Sequence, residues 1–501
     1  MVNLALLIGT GPFGEDGLVK APWLLHLHKY HSVHVVSRIN PRIHFDAHLE
    51  KVIGEREFDD IKSALNQIVG ISSSFEIVHD SPYLNRAYSQ ADVAERERYI
   101  GVSFEHLSSM DYRYGKGSAS PKMMHSRTAS LAALVDFFSD FYSRHQIDIL
   151  VNTIEDDILS VTAYYVAKKM KIPVIGYVSG RLPKRGIMLA LDFSDICCWN
   201  NLEANREDIS SLYDQHTIAG SDVLHRNKNL WNLNSIPKKY KGVAQLLQYD
   251  TYCRDIRRLL PFESLIFRDF DGGNLLHFVV DFAKKFLRRR VANLMVETPS
   301  PEDDYFLFPL HYAEDAQITF REPLLDQFEL VRIISLSLPS GSRLYLKPHP
   351  HYGCTDQSIR ALRKAHRISN VKVIKSDIPP MDLIRNARAV ITINSTTGFE
   401  SLILGVPVIT FGHDFYCKQG ICSVVRDVND LPRKIQDAIK ETPNRTVVDD
   451  FIKSVYRNTI WIDGLDYEYG FHGLSEEDGR KVAFAMNSVL DSIDGTNLRC
   501  S

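Results

Sequence analysis

The chain lacks any apolar run approaching the ~20 residues needed to span a bilayer, so a membrane-embedded protein is excluded and any membrane contact is expected to be peripheral. It has no internal repeat and no low-complexity segment, which argues against solenoids and disordered tails. Its seven cysteines, at 197, 198, 253, 354, 417, 422 and 500, form no C-x-x-C pair and are odd in number. That spacing excludes a disulfide framework and a structural zinc site, and reads as reduced thiols of a cytoplasmic protein. Nor is there an excess of positive charge: 59 Lys and Arg against 62 Asp and Glu give a formal charge of -3. Nucleic acid is therefore not expected as a partner. Residues 2–8 are apolar, but no basic segment precedes them and Gly9-Thr10-Gly11 cuts them short, so they read as a first strand and not as a signal peptide.

What is present is ordinary globular composition, 44% hydrophobic and 24% charged over 501 residues, enough for two to four domain-sized cores. The N-terminal half starts as an α/β unit: strand Leu4 to Ile8, helix Leu18 to Tyr30, strand Val33 to Ser37. Gly9-x-Gly11-x-x-Gly14 has the form of a dinucleotide fingerprint, but Pro12 interrupts it and Ser37-Arg38 stands where an NAD site wants an acid. It reads instead as a tight turn. From about 45 to 145 the pattern is mostly helical, with a polar Tyr-rich loop at Ser108 to Pro121 that is either a sugar-stacking loop or plain surface. Strand Ile147 to Thr153, acids Glu155-Asp156-Asp157, helix Leu159 to Met170 and strand Val174 to Tyr177 then form a crossover unit. Lys284, Lys285, Arg288, Arg289 and Arg290 make a basic helix face, for an anionic membrane surface or for solvent. The prolines and acids of Glu297 to Asp304 mark a linker.

Beyond that linker, strands at Tyr305 to Phe308, Arg343 to Leu346, Val371 to Ile374, Ala389 to Ile393 and Val408 to Phe411 alternate with helices, including Leu324 to Leu338, Gln357 to His366 and Met381 to Asn386. Such alternation is a doubly wound α/β domain. A last helix, Ser475 to Ser492, begins with Ser475 and Asp478 in capping-box spacing. Two short signatures organise this half. Lys347-Pro348-His349-Pro350 closes a buried strand, and Asn394-Ser395-Thr396-Thr397-Gly398-Phe399-Glu400 follows another, with Gly398 opening a short helix that Gly405 and Pro407 end. Hydroxyls beside the free N–H groups of a helix start suit an anion.

Together with Phe308-Pro309-Leu310-His311-Tyr312-Ala313-Glu314-Asp315 and Leu404-Gly405-Val406-Pro407-Val408-Ile409-Thr410-Phe411-Gly412, these signatures resemble motifs of the capsule polysaccharide biosynthesis family, related to bacterial Kdo-, sialyl- and polysialyltransferases. The resemblance is dense over 303 to 416. It implies a GT-B-like fold, two doubly wound Rossmann-type lobes with an interlobe cleft. Residues 1–300 would be the acceptor-side lobe with helical insertions, 301–460 the nucleotide-sugar-binding lobe, and 461–501 a closing helical segment placed to pack back on the first. The implied donor site comprises His311, Glu314, Lys347, His349, Ser395, Thr396, Thr397, Gly398 and Glu400, with His349 and the Ser395-Thr396 hydroxyls on the leaving phosphate.

Glu155-Asp156 resembles the family's acidic base motif, with Asp157 where that motif has glycine, so Asp156 and Glu155 are both candidate bases. Acids in a helix's first turn are equally ordinary N-terminal stabilisation. Asp269-Phe270-Asp271 has the form of the metal-binding element of the other large glycosyltransferase class, yet the two-lobed pattern argues against that class, and neither a catalytic metal nor a cofactor is expected. The implied reaction is inverting transfer from a nucleotide-activated sugar, most closely a CMP-linked acidic sugar, to a surface glycan or glycolipid. CDP-polyol phosphotransfer of the teichoic-acid type, sugar-nucleotide epimerisation and a non-catalytic nucleotide-sugar-binding subunit are the alternatives.

Overall fold

In the computed structural model the apolar runs become the strands of two sheets. The structure describes residues 1–8, 16–37, 55–110, 121–152, 158–180, 186–197, 291–292, 294–311, 316–322, 325–348, 356–375, 378–418, 420–440, 443–462 and 475–492. Two compact units hold them: Met1–Glu203 with Ser454–Ser501 belong to the first, and Gly272–Lys453 to the second.

In the first unit β1 (Asn3–Ile8), β2 (Ser32–Ser37), β3 (Ser74–Ile77), β4 (Ile149–Val151) and β5 (Val174–Gly180) are parallel neighbours in the order β3-β2-β1-β4-β5. The sheet then turns antiparallel, through β6 (Gly186–Leu191), β7 (Asp195–Ile196) and, from far along the chain, β14 (Thr459–Trp461). β3, β6 and β14 are strands that the sequence reading did not separate from helix and loop. Helix Glu476–Ser492 closes this unit against helix Asp16–Leu27. Its Gly479 lies so close that a Cβ there would come within 2.5 Å of Pro22 Cβ, and His31 Nε2 bonds Asn487 Oδ1 at 2.9 Å. Ser475 caps the helix, its Oγ accepting from Asp478 N at 3.1 Å and donating to the Asp478 carboxylate at 2.7 Å.

The second unit is a wholly parallel sheet in the order β10-β9-β8-β11-β12-β13, built from β8 (Tyr305–Pro309), β9 (Arg343–Lys347), β10 (Val371–Val373), β11 (Val390–Thr392), β12 (Val408–Thr410) and β13 (Ser423–Val424). Counted along the chain this is 3-2-1-4-5-6, the doubly wound Rossmann order. Every residue of β8, β11 and β12 is buried, as a sheet covered on both faces requires. Phe306 and Phe308 pack with Leu344, Leu346, Ile391 and Ile409 on one face, while Tyr305 and Leu307 pack with Tyr345 and Val390 on the other. Alternation along each strand thus feeds two cores, each large side chain adding about 1.5–3 kcal/mol. The helix expected from Leu324 begins at Gln327, because Asp326 accepts from the backbone N–H groups of Phe328 and Glu329 and so caps it there. Among the described residues no helix is long and apolar enough to cross a membrane.

Candidate functional site

The chain runs outward from β8 towards β9 and β10 on one side, and from β11 towards β12 and β13 on the other. Crossovers leaving β8 and β11 therefore cover opposite faces, and the carboxyl ends of these two neighbours form the switch point where open α/β sheets bind ligands. His311 lies two residues past β8, Asn394 and Ser395 just past β11, and His413 three past β12.

Ser395 is the N-cap of helix Thr396–Leu404, with extended φ -74° and ψ 142°. Its Oγ accepts from Thr397 N at 3.3 Å and donates to Thr397 Oγ1 at 3.2 Å, while its own N–H is held by Thr392 Oγ1 at 3.2 Å. Tyr416 donates its hydroxyl to the Ser395 carbonyl. Ser395, Thr396 and Glu400 are half-buried, whereas Thr397 and Gly398 are buried. Gly398 does not open the helix as expected. It is the third helical residue, and what it supplies is space, since a Cβ there would meet the Tyr416 hydroxyl at 2.6 Å and the ring at 2.7 Å. Gly405 ends the helix at φ 75°, the left-handed conformation that favours glycine.

Asn394 ties the switch point together. Its Nδ2 donates to Gln317 O at 3.0 Å and to Glu322 Oε1 at 3.4 Å, and its Oδ1 accepts the backbone N–H groups of His413 at 2.8 Å and Asp414 at 3.0 Å. One buried side chain thereby joins the segments after β8, β11 and β12. Gly412 makes room for it, because a Cβ at 412 would come within 1.9 Å of Asn394 Oδ1 and 2.2 Å of the Ile393 carbonyl. Glu322 is 7% exposed and bonds His413 Nδ1 at 2.5 Å, while the His413 side chain is 58% exposed. Asp414 is paired with Arg321 at 2.8 Å, both largely buried. Burial pushes the Cys417 thiol well up and that of Cys422 up to about 12, so these neighbours are packing groups and not nucleophiles.

Of the expected donor residues, His311, Lys347, Ser395, Thr396, Thr397, Gly398 and Glu400 are described. His311 is buried and held by a reciprocal pair, its N–H donating to Gln327 Oε1 and Gln327 Nε2 donating to its carbonyl, both at 3.1 Å. Lys347 ends β9 and is buried, with Nζ 3.4 Å from the Lys375 carbonyl. Glu314, His349, Glu155 and Asp156 lie outside the described residues, as do the glycine loop after β1, positions 111–120 of the Tyr-rich loop, the basic cluster and Asp269-Phe270-Asp271, while Ser108 to Met110, expected in that loop, end helix Phe104–Met110 and Pro121 opens helix Pro121–Arg144. Sequence reasoning missed Glu322, Arg321, His413 and Asp414. The last two follow Gly412 directly, so reading two residues past the fourth motif finds them. Glu322 is separated from Asn394 by 72 positions and carries no spacing signal.

Residues 277–467 match the family model described as capsule polysaccharide biosynthesis protein. Protein FixF of Sinorhizobium fredii is 32% identical over 170 residues, 33% of this chain and 38% of that protein. The capsule polysaccharide export protein KpsS of Escherichia coli is 29% identical over 124 residues, 23% of this chain and 32% of that one. The chain thus spans about a third of the length of these curated relatives. Among solved structures, Thermosulfurimonas dismutans KpsC, a beta Kdo 2,7 transferase, aligns at 20% identity over 46% of this chain and 66% of that one, with a TM-score of 0.25.

Proposed function

We propose that the protein, whose residues 277–467 match the family model described as capsule polysaccharide biosynthesis protein, is a GT-B-type glycosyltransferase. It moves a sugar from a nucleotide-activated donor, a CMP-linked acidic sugar, to a glycan or glycolipid acceptor, with inversion and without a metal. The observation that carries this reading is the Ser395–Thr397 turn, a hydroxyl-lined helix start at the switch point of a 3-2-1-4-5-6 sheet. Such a turn offers backbone N–H groups, hydroxyls and the positive end of a helix to a phosphate.

In the reaction the acceptor hydroxyl attacks the anomeric carbon as the bond to the nucleotide phosphate breaks. Asp156 or Glu155 of the first unit takes the hydroxyl proton. The charge left on the phosphate falls to Ser395, Thr396 and the helix start, with His349 as the charge-assisted donor. Glu314 and Glu400 are assigned to donor hydroxyls and His311 to shaping the pocket wall. Because protein groups carry the leaving charge, EDTA leaves turnover intact in this mechanism; restoration of a chelated, inactive enzyme by Mn²⁺ would favour a metal route.

The direct test is a melting-temperature panel with CMP, CDP, UMP, UDP and GDP, followed by product analysis with the matching donor. The proposal expects stabilisation by CMP, and CMP plus glycoside as products. CMP plus phosphodiester would identify phosphotransfer instead. His349→Ala should lower kcat/KM by about 2–4 kcal/mol, the size of a lost contact to a leaving group, and an unchanged value in a folded variant removes His349 from the site.

A further inference from the structure

The chemistry assigned so far leaves one pair unused. Glu322 is buried at 7% exposure, and a carboxylate taken out of water at that depth needs compensation from a cation or several donors. It has Asn394 Nδ2 at 3.4 Å and His413 Nδ1 at 2.5 Å. The two members of the hydrogen-bonded pair differ sharply in exposure: the carboxylate is inside, while 58% of the imidazole side chain meets solvent. With Nδ1–H donated to Glu322, Nε2 is the ring nitrogen left to meet a ligand.

Position supplies the ligand class. His413 N is hydrogen-bonded to Asn394 Oδ1 at 2.8 Å, and Asn394 directly precedes the Ser395 cap, so the backbone that carries His413 is tied to the residue before the helix start. Its acidic neighbour Asp414 is neutralised by Arg321 at 2.8 Å and presents little negative charge to an incoming anion. We propose that His413, oriented by Glu322, is a second phosphate-binding imidazole of this site and holds the phosphate of the nucleotide-activated donor through Nε2–H. The inference rests on the glycosyltransferase reading and adds to it two residues that none of the four sequence motifs contains. Glu322 is a positioning residue: it fixes the ring's orientation, as carboxylates do for histidines that must aim at one point.

The test compares a nucleotide with its own nucleoside, since only the former carries the phosphate. The wild type is taken through the CMP, CDP, UMP, UDP and GDP panel, and the best binder and its nucleoside are then titrated against wild type, His413→Gln and Glu322→Gln. The expected result is a drop of about 10-fold or more in nucleotide affinity for His413→Gln, with nucleoside affinity within about twofold, as for a lost charge-assisted hydrogen bond. Glu322→Gln should show the same phosphate-selective loss, but smaller. Should that buried change prevent folding, His413→Gln decides alone, because it alters a half-exposed side chain and its melting temperature is the control. Equal loss of nucleotide and nucleoside, or no loss of either, overturns the assignment and leaves the pair as a loop lock. A wild type that binds none of the five nucleotides overturns the glycosyltransferase reading and this inference with it.

Discussion

Asparagines stand at matching places in the two units: Asn152 one residue past β4 and Asn394 two past β11. Each follows the strand where a 3-2-1-4 sheet order reverses direction. Their carboxamides are used in opposite ways. All the hydrogen-bonding capacity of Asn394 that reaches neighbours is spent on protein, two acceptors for Nδ2 and two backbone donors for Oδ1. Asn152 is just as buried, at 1% exposure, and its Nδ2 donates to Ser160 O at 3.0 Å, but its Oδ1 has no partner. In the second unit the Asn394 carboxamide is thus used up within the protein, tying together the segments that carry Ser395, Thr396 and His413. In the first unit the same position keeps an acceptor unspent beside the chain that leads to Glu155 and Asp156. An unspent buried acceptor is the kind of exception that calls for a ligand or a moving neighbour.

This contrast can be broken experimentally. The largest effect should come from the first unit's acids: Glu155→Gln or Asp156→Asn is expected to lower the transfer rate by 10²–10⁴, the usual cost of losing a general base, while nucleotide-induced stabilisation stays as in wild type. Near wild-type transfer in both variants would move the base to Glu314 or Asp315 and end the division of labour between the units. Next, Asn394→Ala should cost about 3–5 kcal/mol in denaturant unfolding, because two buried N–H groups and the Glu322 carboxylate lose partners together. Gly412→Ala should follow at about 2–3 kcal/mol, since the Ile393 carbonyl in its way is backbone and cannot swing aside. Asn152→Ala removes a single bond and should cost about 1 kcal/mol. Equal losses at 152 and 394 would show that the two carboxamides do the same work.

The smallest expected effect is on acid stability, and it is shared. Burial works against the charge on Asp303, but hydrogen bonds from Lys372 and Tyr345 outweigh it and hold the carboxyl below its ordinary value. In Glu76 of the first unit burial is likewise outweighed, by Arg144 and His145. A carboxylate with a depressed folded pKa adds stability that is complete above its unfolded value, about 4, and is lost as pH falls through the folded one. Urea midpoints measured from pH 6 down to pH 3 should therefore fall less steeply for Asp303→Asn and Glu76→Gln than for wild type. Parallel slopes would remove these groups from the acid limb.

Most of the parallel strands were legible because a strand covered on both faces is built of apolar and β-branched residues, as Leu4 to Ile8, Tyr305 to Phe308 and Val408 to Phe411 are; the parallel β3, none of whose residues is fully buried, was not. β14 was not, being three residues long and paired with β6 across more than 260 positions of sequence. Ser395 to Thr397 could be read as a cap because capping is local, settled by residues two or three apart. The Glu322–His413 pair could not, because 91 residues separate its members. By itself, then, the sequence determined most of the parallel strands, where the hydroxyl-lined turn falls, and the match of residues 277–467 to a family model, all of which depend on neighbours along the chain. Only the tertiary structure decided that Gly398 and Gly412 are spacers for Tyr416 and Asn394, and that the buried acid Glu322 backs the exposed imidazole of His413. Those are facts of volume and burial, created when distant segments pack together.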